Sequence, residues 1–589
     1  MPPSAPTPFD AVVIGAGHNG LTAALYLARA GWRVCVVERQ PVVGGAVQSA
    51  EVTRPGFVHD LWSTNQNLFL GSAVYRDFRD DLARHGLRYR VSERPFCNVF
   101  PDGRSLRTYK SVERTAAALA EHNAADADGW RRLRRHYEAF VRSLAGVLQV
   151  PAAAVSPAVA GIAARAVAAQ GPAELRELVR ILVSSTRELG EEFFDTREAR
   201  ALLATWGLHL DFGPDVAGGA LLPFLETFGG VDNGMAIAEG GAQHMPDALA
   251  ALVRAHGGVV RTGAEAVGVT WSLDGGRPRA EGVVLGDGTA LRAERAVVAN
   301  LTPTVLFGRL LPDVPLGGDA AAPASGDFRH RVGRYQYGPG TLMLHLALDG
   351  PVRWAAGDEV SEFAYVHVAP YVEDLAETYT DAMNGVLPAS PALIVGQTTA
   401  VDPSRAPAGK HVLWVQVRAV PNARRPLRGD RLAGTAGAIA HGEAWDDALT
   451  HAYAERVLDK LEAYAPGVRA LEVGRKVYGP TDLERINPNL VGGDSVAGSH
   501  HLRQNFAFRP IPGWSTYATP VESLYMIGAA TWPGGGTNAA SGYLCAQQLL
   551  HPHATRDTLL KGAAGLGAAA AGAALVARWL GRDRGEEAA

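Results

Sequence analysis

Gly15, Gly17 and Gly20 stand in a Gly-x-Gly-x-x-Gly pattern, and Glu38 follows the last of them by 18 residues. Those types at that spacing can hold a dinucleotide. Gly15 permits a tight turn, Gly17 lets the backbone approach a pyrophosphate, and Gly20 lets a helix pack closely on a strand. Ala16, His18 and Asn19 fill the same loop, whose helix N-terminus offers free N–H groups and a positive dipole end to phosphates. The Glu38 carboxylate can accept hydrogen bonds from a ribose 2′-hydroxyl. Three elements must position these groups: a buried strand at Ala11 to Ile14, a helix to about Ala30 and a second strand at Arg33 to Val37. All occur in the right order. The pattern is a dinucleotide site rather than a bare glycine-rich turn.

A chain of 589 residues suggests about two to four domains. Hydrophobic residues make up 47% and charged residues 20%, the composition of a globular protein. A net charge of −4 gives no reason to expect a nucleic-acid partner. Cys35, Cys97 and Cys545 are scattered and form no CxxC pair, which fits a reducing cytoplasm and argues against dithiol flavin chemistry. No metal-ligand cluster is visible. The adjacent His500 and His501 read as a polar loop. The N-terminal MPPSAPTPFD carries no secretory pattern. Two alanine-rich stretches, 150–169 and Gly562 to Val576, are too interrupted or too short to span a bilayer but leave peripheral membrane contact open.

Beyond Glu38 and Arg39, Gly44-Gly45-Ala46 forms a second close-approach loop that a plain NAD-binding half does not need. Residues 56–75 read as a pocket-lining loop and helix, and 111–222 as helical, with the charges of the run from Trp130 to Tyr137 on a solvated face. From 224 to 310 the texture returns to α/β. Strands are expected at 258–262, 264–272, 281–286, 290–292 and 295–300, later at 340–347 and 411–418, with a helix at 446–464. Leu524 to Gly528 reads as a strand, Ala529 to Asn538 as a glycine-rich loop and Ala539 to Leu550 as a helix. The strand, glycine loop and helix of the N-terminus thus recur near the C-terminus, so the two ends are expected to meet at one cofactor.

Taken together, GAGHNGL (15–21), Glu38, GGA (44–46), EGG (239–241) and GAATWPGGGTNAASG (528–542) resemble the FAD-dependent phytoene desaturase superfamily over roughly residues 8–552. That group includes carotenoid desaturases, desaturase-like ketolases and retinol saturase-like flavoproteins. Ala408 to His411 after Asp402-Pro403, and Leu490 to Asp494 before Arg509-Pro510, are similar to the ketolase-like branch. The resemblance implies an α/β fold. A Rossmann-like FAD-binding domain of the amine-oxidase-like type would be built from 8–105, 224–310 and 515–552. A helical cap that could face a membrane would span 106–223, a mixed α+β substrate domain 311–514, and an Ala/Gly-rich tail 553–589.

Residue by residue, the resemblance implies that Gly15, Gly17 and Gly20 cradle the pyrophosphate and that Glu38 holds the adenosine ribose. Arg39 and Gly44, Gly45 and Ala46 cover the dinucleotide, and the Val267 backbone contacts adenine. Gly528, Gly536, Thr537 and Asn538 belong to the loop that faces the flavin pyrimidine, where a helix dipole stabilises negative charge. The implied activity is desaturation or oxidation of an apolar, isoprenoid or polyene-like substrate, with oxygen or a quinone as electron acceptor. Alternatives are a soluble tailoring oxidase of another metabolite and a flavin-binding protein without turnover. His59, Asp60 and Glu239 are candidate bases by position, and none is assigned a catalytic role. Two departures are notable. Trp532 replaces the histidine of a common Thr-His-Pro-Gly-Gly-Gly pattern, and Trp62 replaces a glycine. Both are expected near the active site, where they would suit a narrower or flatter substrate.

Overall fold

The computed structural model describes residues 8–150, 157–316 and 328–552. The tail at 553–589 and the first part of the 150–169 stretch lie outside them. At the N-terminus the strand Phe9–Ile14 runs parallel to both Val34–Val37 and Ala290–Ala299. Every side chain from Ala11 to Ile14 is buried, because apolar clusters cover both faces of the strand: Ala11 and Val13 point to one, Val12 and Ile14 to the other. Val259–Arg261 extends this sheet on one side; the hairpin Ala266–Asp274 and Arg277–Leu285 extends it on the other. The two strands expected at 290–292 and 295–300 are one, since its first residues pair with the hairpin while its last continue the parallel sheet. Leu524–Met526 pairs in parallel with that last part and brings the C-terminal region into the same sheet.

A second seven-stranded sheet, mostly antiparallel, runs in the order Glu472–Tyr478, Gly340–Leu348, His411–Val420, Ala392–Gly396, Tyr365–Val368, Phe96–Val99 and Ser105–Thr108. Residues 96–108 thus belong to this sheet, across the boundary expected near 105. A helical unit packs against the second sheet: Val112–Ala120, Ala124–Ser143, Pro157–Val183, Thr186–Phe193, Arg197–Gly207 and Leu221–Asn233. Its core is aromatic, with Trp130 packed on Phe228 at 4.7 Å. The run after Trp130 is not wholly solvated: Arg134 turns inward to Asp232 at 2.6 Å. The helix at 157–183 breaks at Gly171, followed by Pro172, and its Ile162 and Ala166 pack into the same core. No described helix is long and apolar enough to cross a membrane.

Candidate functional site: a cavity between the glycine loops and the second sheet

One cavity runs from the carboxyl ends of the parallel strands to the second sheet and the helical unit, the place where open α/β sheets bind ligands. Gly15, Gly17, His18, Asn19, Glu38, Arg39, Gly45, Ala46, Gly528, Gly536 and Thr537 all line it.

Helix His18–Arg29 starts here with no side-chain cap, so its first N–H groups remain open to a ligand. Gly20 lies behind the wall, where a Cβ would overlap the carbonyl oxygen of Gly15. A Cβ on Gly17 would stand 2.9 Å from the Asn300 amide, which closes the floor of the cradle. Ala16 is also behind the wall; its N–H donates to Glu38 Oε2 at 2.8 Å, while Gln40 N–H donates to Oε1 at 2.9 Å. Burial raises the pKa of Glu38, and these two backbone bonds partly offset the shift by favouring the carboxylate. Gly44 is a hinge at φ +128° whose N–H donates to the Ala16 carbonyl. Arg39 and Gln40 donate to the Arg485 and Ile486 carbonyls, tying this end of the cavity to the 483–490 segment.

The C-terminal loop closes on the same point. The Gly542 N–H donates to Asn19 Oδ1 at 3.3 Å, and a Cβ at Gly542 would overlap the Asn19 carbonyl, so helices His18–Arg29 and Ala540–Leu550 cross almost backbone to backbone. The two ends of the chain therefore meet at one cavity. His18 hydrogen-bonds the Gly536 backbone, and burial pushes its pKa down to about 4, so the ring is neutral. Thr537 Oγ1 donates to the Asn65 carbonyl at 3.3 Å. Asn538 is not on the wall: its Oδ1 accepts the Ala540 N–H at 2.9 Å, at the start of the last helix. The Val267 side chain is 49% exposed, and the cavity wall beside it is formed by Glu265 and Ala266.

The three candidate bases lie off the cavity. Asp60 is fully buried beside Arg405, at 2.8 Å, and also accepts from Ser49, Thr64 and the Ala242 N–H. Burial would raise its pKa, but the Arg405 charge and these bonds hold it below the usual carboxylate range. Asp402 takes the other side of Arg405 at 3.0 Å. His59 contacts Thr53 at 2.8 Å and is neutral, and Glu239 pairs with exposed Arg90 at 2.6 Å. Trp532 also departs from expectation. Its ring is buried against Phe506, and Nε1 donates to the Val150 carbonyl at 2.9 Å, so it faces the core and not the cavity. Trp62, in contrast, is on the wall, edge-on to Tyr478 at 5.0 Å.

Two supporting residues escaped the sequence reading. Asn300 touches both glycine loops, since a Cβ on Gly528 would also run into its side chain. Its place at the carboxyl end of a buried strand was a usable signal. His500 accepts the Gly535 N–H at 2.8 Å and holds the last loop in place. Nothing local distinguishes it from a polar-loop histidine. The far wall of the cavity, with Trp206, Leu222, Glu226, Met343, Trp414 and Arg418, was also unread. Among the described residues no cluster fit for a metal ion occurs, and the three cysteines are buried and free.

A glycine-built cradle, a buried carboxylate beside it and a second glycine loop from the C-terminal region define an FAD-binding oxidoreductase. The chain belongs to the family described as flavin containing amine oxidoreductase, which matches residues 20–543. Among curated proteins it is 28% identical to the rat pyridine nucleotide-disulfide oxidoreductase domain-containing protein 2, covering 91% of this chain and 92% of that one. It is 25% identical to a component of the limonene dehydrogenase of Castellaniella defragrans, over 91% and 94%. With the neurosporene-forming phytoene desaturase of Rhodobacter capsulatus it shares 26% identity over 92% and 93%. A solved oxidoreductase from Methanosarcina mazei has the same fold, with a TM-score of 0.57 at 17% identity over 92% of this chain and 99% of that one. The resemblance to phytoene desaturases and the FAD cofactor are thereby borne out.

Proposed function

We propose that the protein is an FAD-dependent desaturase or oxidase of an apolar, isoprenoid or polyene-like substrate. The observation that carries this reading is the continuity of the cavity from both glycine loops to a wall of Trp62, Trp206, Leu222, Met343 and Trp414. That wall offers aromatic and aliphatic surface to a flat, largely carbon ligand. Relatives named for limonene and phytoene, both isoprenoids, support the same substrate class.

Bound FAD would supply the two-electron acceptor for a hydride leaving a substrate C–H bond. The protein's own share is to hold the dinucleotide through Gly15, Gly17, Glu38 and the 528–537 loop, to orient the substrate, and to keep water out. Glu226 is the acidic residue on the far wall. Burial raises its pKa to about 7, which suits it to take the proton from the neighbouring carbon as the double bond forms.

Oxygen or a quinone would serve as the final electron acceptor. Reduction by NADPH as fast as turnover in a stopped-flow trace would contradict that choice. Exposed Val141, Val167, Val179 and Val183 lie on two helices that pack together and support peripheral contact with a membrane, from which such a substrate would enter. The buried free cysteines fit a reducing, cytoplasmic compartment. The test is mass spectrometry of small molecules extracted from the purified yellow protein. An isoprenoid or polyene in the extract supports the reading, while a co-purifying polar metabolite favours a soluble tailoring oxidase.

A further inference from the structure

At the far end of the cavity, Arg418 is a buried cation without a carboxylate partner among the described residues. Its guanidinium donates to Ser495 Oγ at 2.7 Å, to the His209 carbonyl at 3.5 Å and to His209 Nδ1 at 3.3 Å. Its Nε–H has no acceptor. Asp494, whose charge acts on Arg418, is already engaged by the N–H groups of Gly338, Val496 and Gly498.

Because a guanidinium can only donate, His209 Nδ1 must accept from it, and the ring proton then sits on Nε2. That Nε2–H is also buried without a partner. So are the indole N–H groups of Trp206 and Trp414, which line the same end of the cavity. In this cluster the one orphaned acceptor is Gln416 Oε1. Four donors without acceptors, one of them cationic, are costly in a buried wall unless a ligand satisfies them.

We propose that the substrate carries a carboxylate at the end that seats against Arg418 and His209, so that it is an apolar acid and not a pure hydrocarbon. The proposal rests on the apolar-substrate reading above and narrows it. A carboxylate accepts from the guanidinium fork and the imidazole together, while the Trp206 and Trp414 faces cover the carbon chain beside it. Glu226 lines the same cavity, but the bonds of Arg418 go to Ser495 and His209 and not to it.

Binding of retinoic acid, retinol and methyl retinoate to the FAD-loaded protein, followed by quenching of tryptophan fluorescence, tests this directly. The acid is expected to bind at least about tenfold tighter than the alcohol or the ester, the effect of one charge-assisted bond. Arg418→Met should abolish that preference with flavin content unchanged, and Arg418→Lys should retain part of it. Equal binding of all three probes, or a preference that survives in R418M, would overturn the carboxylate site and leave the apolar reading intact. If benzoate binds in an Arg418-dependent way while none of the long probes does, the carboxylate site stands and the apolar reading falls.

Discussion

The two ends of the cavity are built by different means. At the dinucleotide end the ligand surface is mostly backbone: glycines whose missing side chains make room and a helix N-terminus without a cap, in loops fixed by Glu38 and His500. At the far end it is side chain: three tryptophans, a methionine, a carboxyl and a guanidinium, drawn from a loop, helices and two strands. A backbone cradle tolerates almost no substitution, because an added Cβ meets a backbone carbonyl or the Asn300 side chain. A side-chain wall can be rebuilt one residue at a time. On the proposed function, the first end sets the cofactor and the second sets the substrate.

That contrast predicts a graded series of effects. The largest belongs to Gly20→Val, whose side chain would run into the Gly15 carbonyl. The variant is expected to purify without flavin, and full flavin absorbance in it would break the backbone account. Next is Arg405→Met, which leaves Asp60 buried without its cation and Asp402 with Arg90 alone, at 3.4 Å. A loss of roughly 3–5 kcal/mol is expected from denaturant unfolding. The pH dependence has a definite sign. Asp60 has a folded pKa below its unfolded value, so its stabilisation is present above about pH 4 and is lost as pH falls through the folded pKa. The wild-type protein should therefore lose stability on acidification below about pH 4, and R405M should lose less.

Glu226→Gln has the opposite sign. A carboxyl whose pKa rises on folding, to about 7, favours the folded state fully below its unfolded pKa, and that contribution disappears as pH rises through 7. The stability of E226Q relative to wild type should improve by roughly 1–3 kcal/mol between pH 5 and pH 8, while its turnover falls. Unchanged turnover would remove Glu226 from the chemistry. The smallest effect is expected for Trp532→Phe, which loses one hydrogen bond to Val150 and about 1 kcal/mol. Its flavin spectrum and substrate preference should match wild type, and a changed spectrum would place that ring near the cofactor after all.

The same division explains what was legible in the residues alone. The first strand, glycine loop, helix and second strand form one continuous segment, because a βαβ unit brings its own ligand-binding turn into place locally. Both glycine loops and the meeting of the two chain ends could therefore be read in advance. The far wall could not. Trp206 sits on a helix, Arg418 and Trp414 on one strand, and Met343 on the strand beside it, each inside an ordinary buried run. Only the folded sheet brings them to a common surface. Trp532 was misplaced because its position in the motif fixes the backbone and not the rotamer, and the indole found the Val150 carbonyl and Phe506 instead. The candidate bases Asp60 and His59 lay close in sequence to the cavity residues Trp62 and Thr64. Asp60 turns to Arg405 and His59 to Thr53, and the two-residue strand they form is too short for a side-chain pattern that would have shown it.

The most direct test is an anaerobic titration of the FAD-loaded protein with isoprenoid polyenes, watching the flavin absorbance. Bleaching by a polyene, with the matching desaturated or oxidised product recovered in equal amount, is the predicted result. A flavin that stays oxidised with every polyene but is bleached by a primary amine or a small polar alcohol would contradict the account.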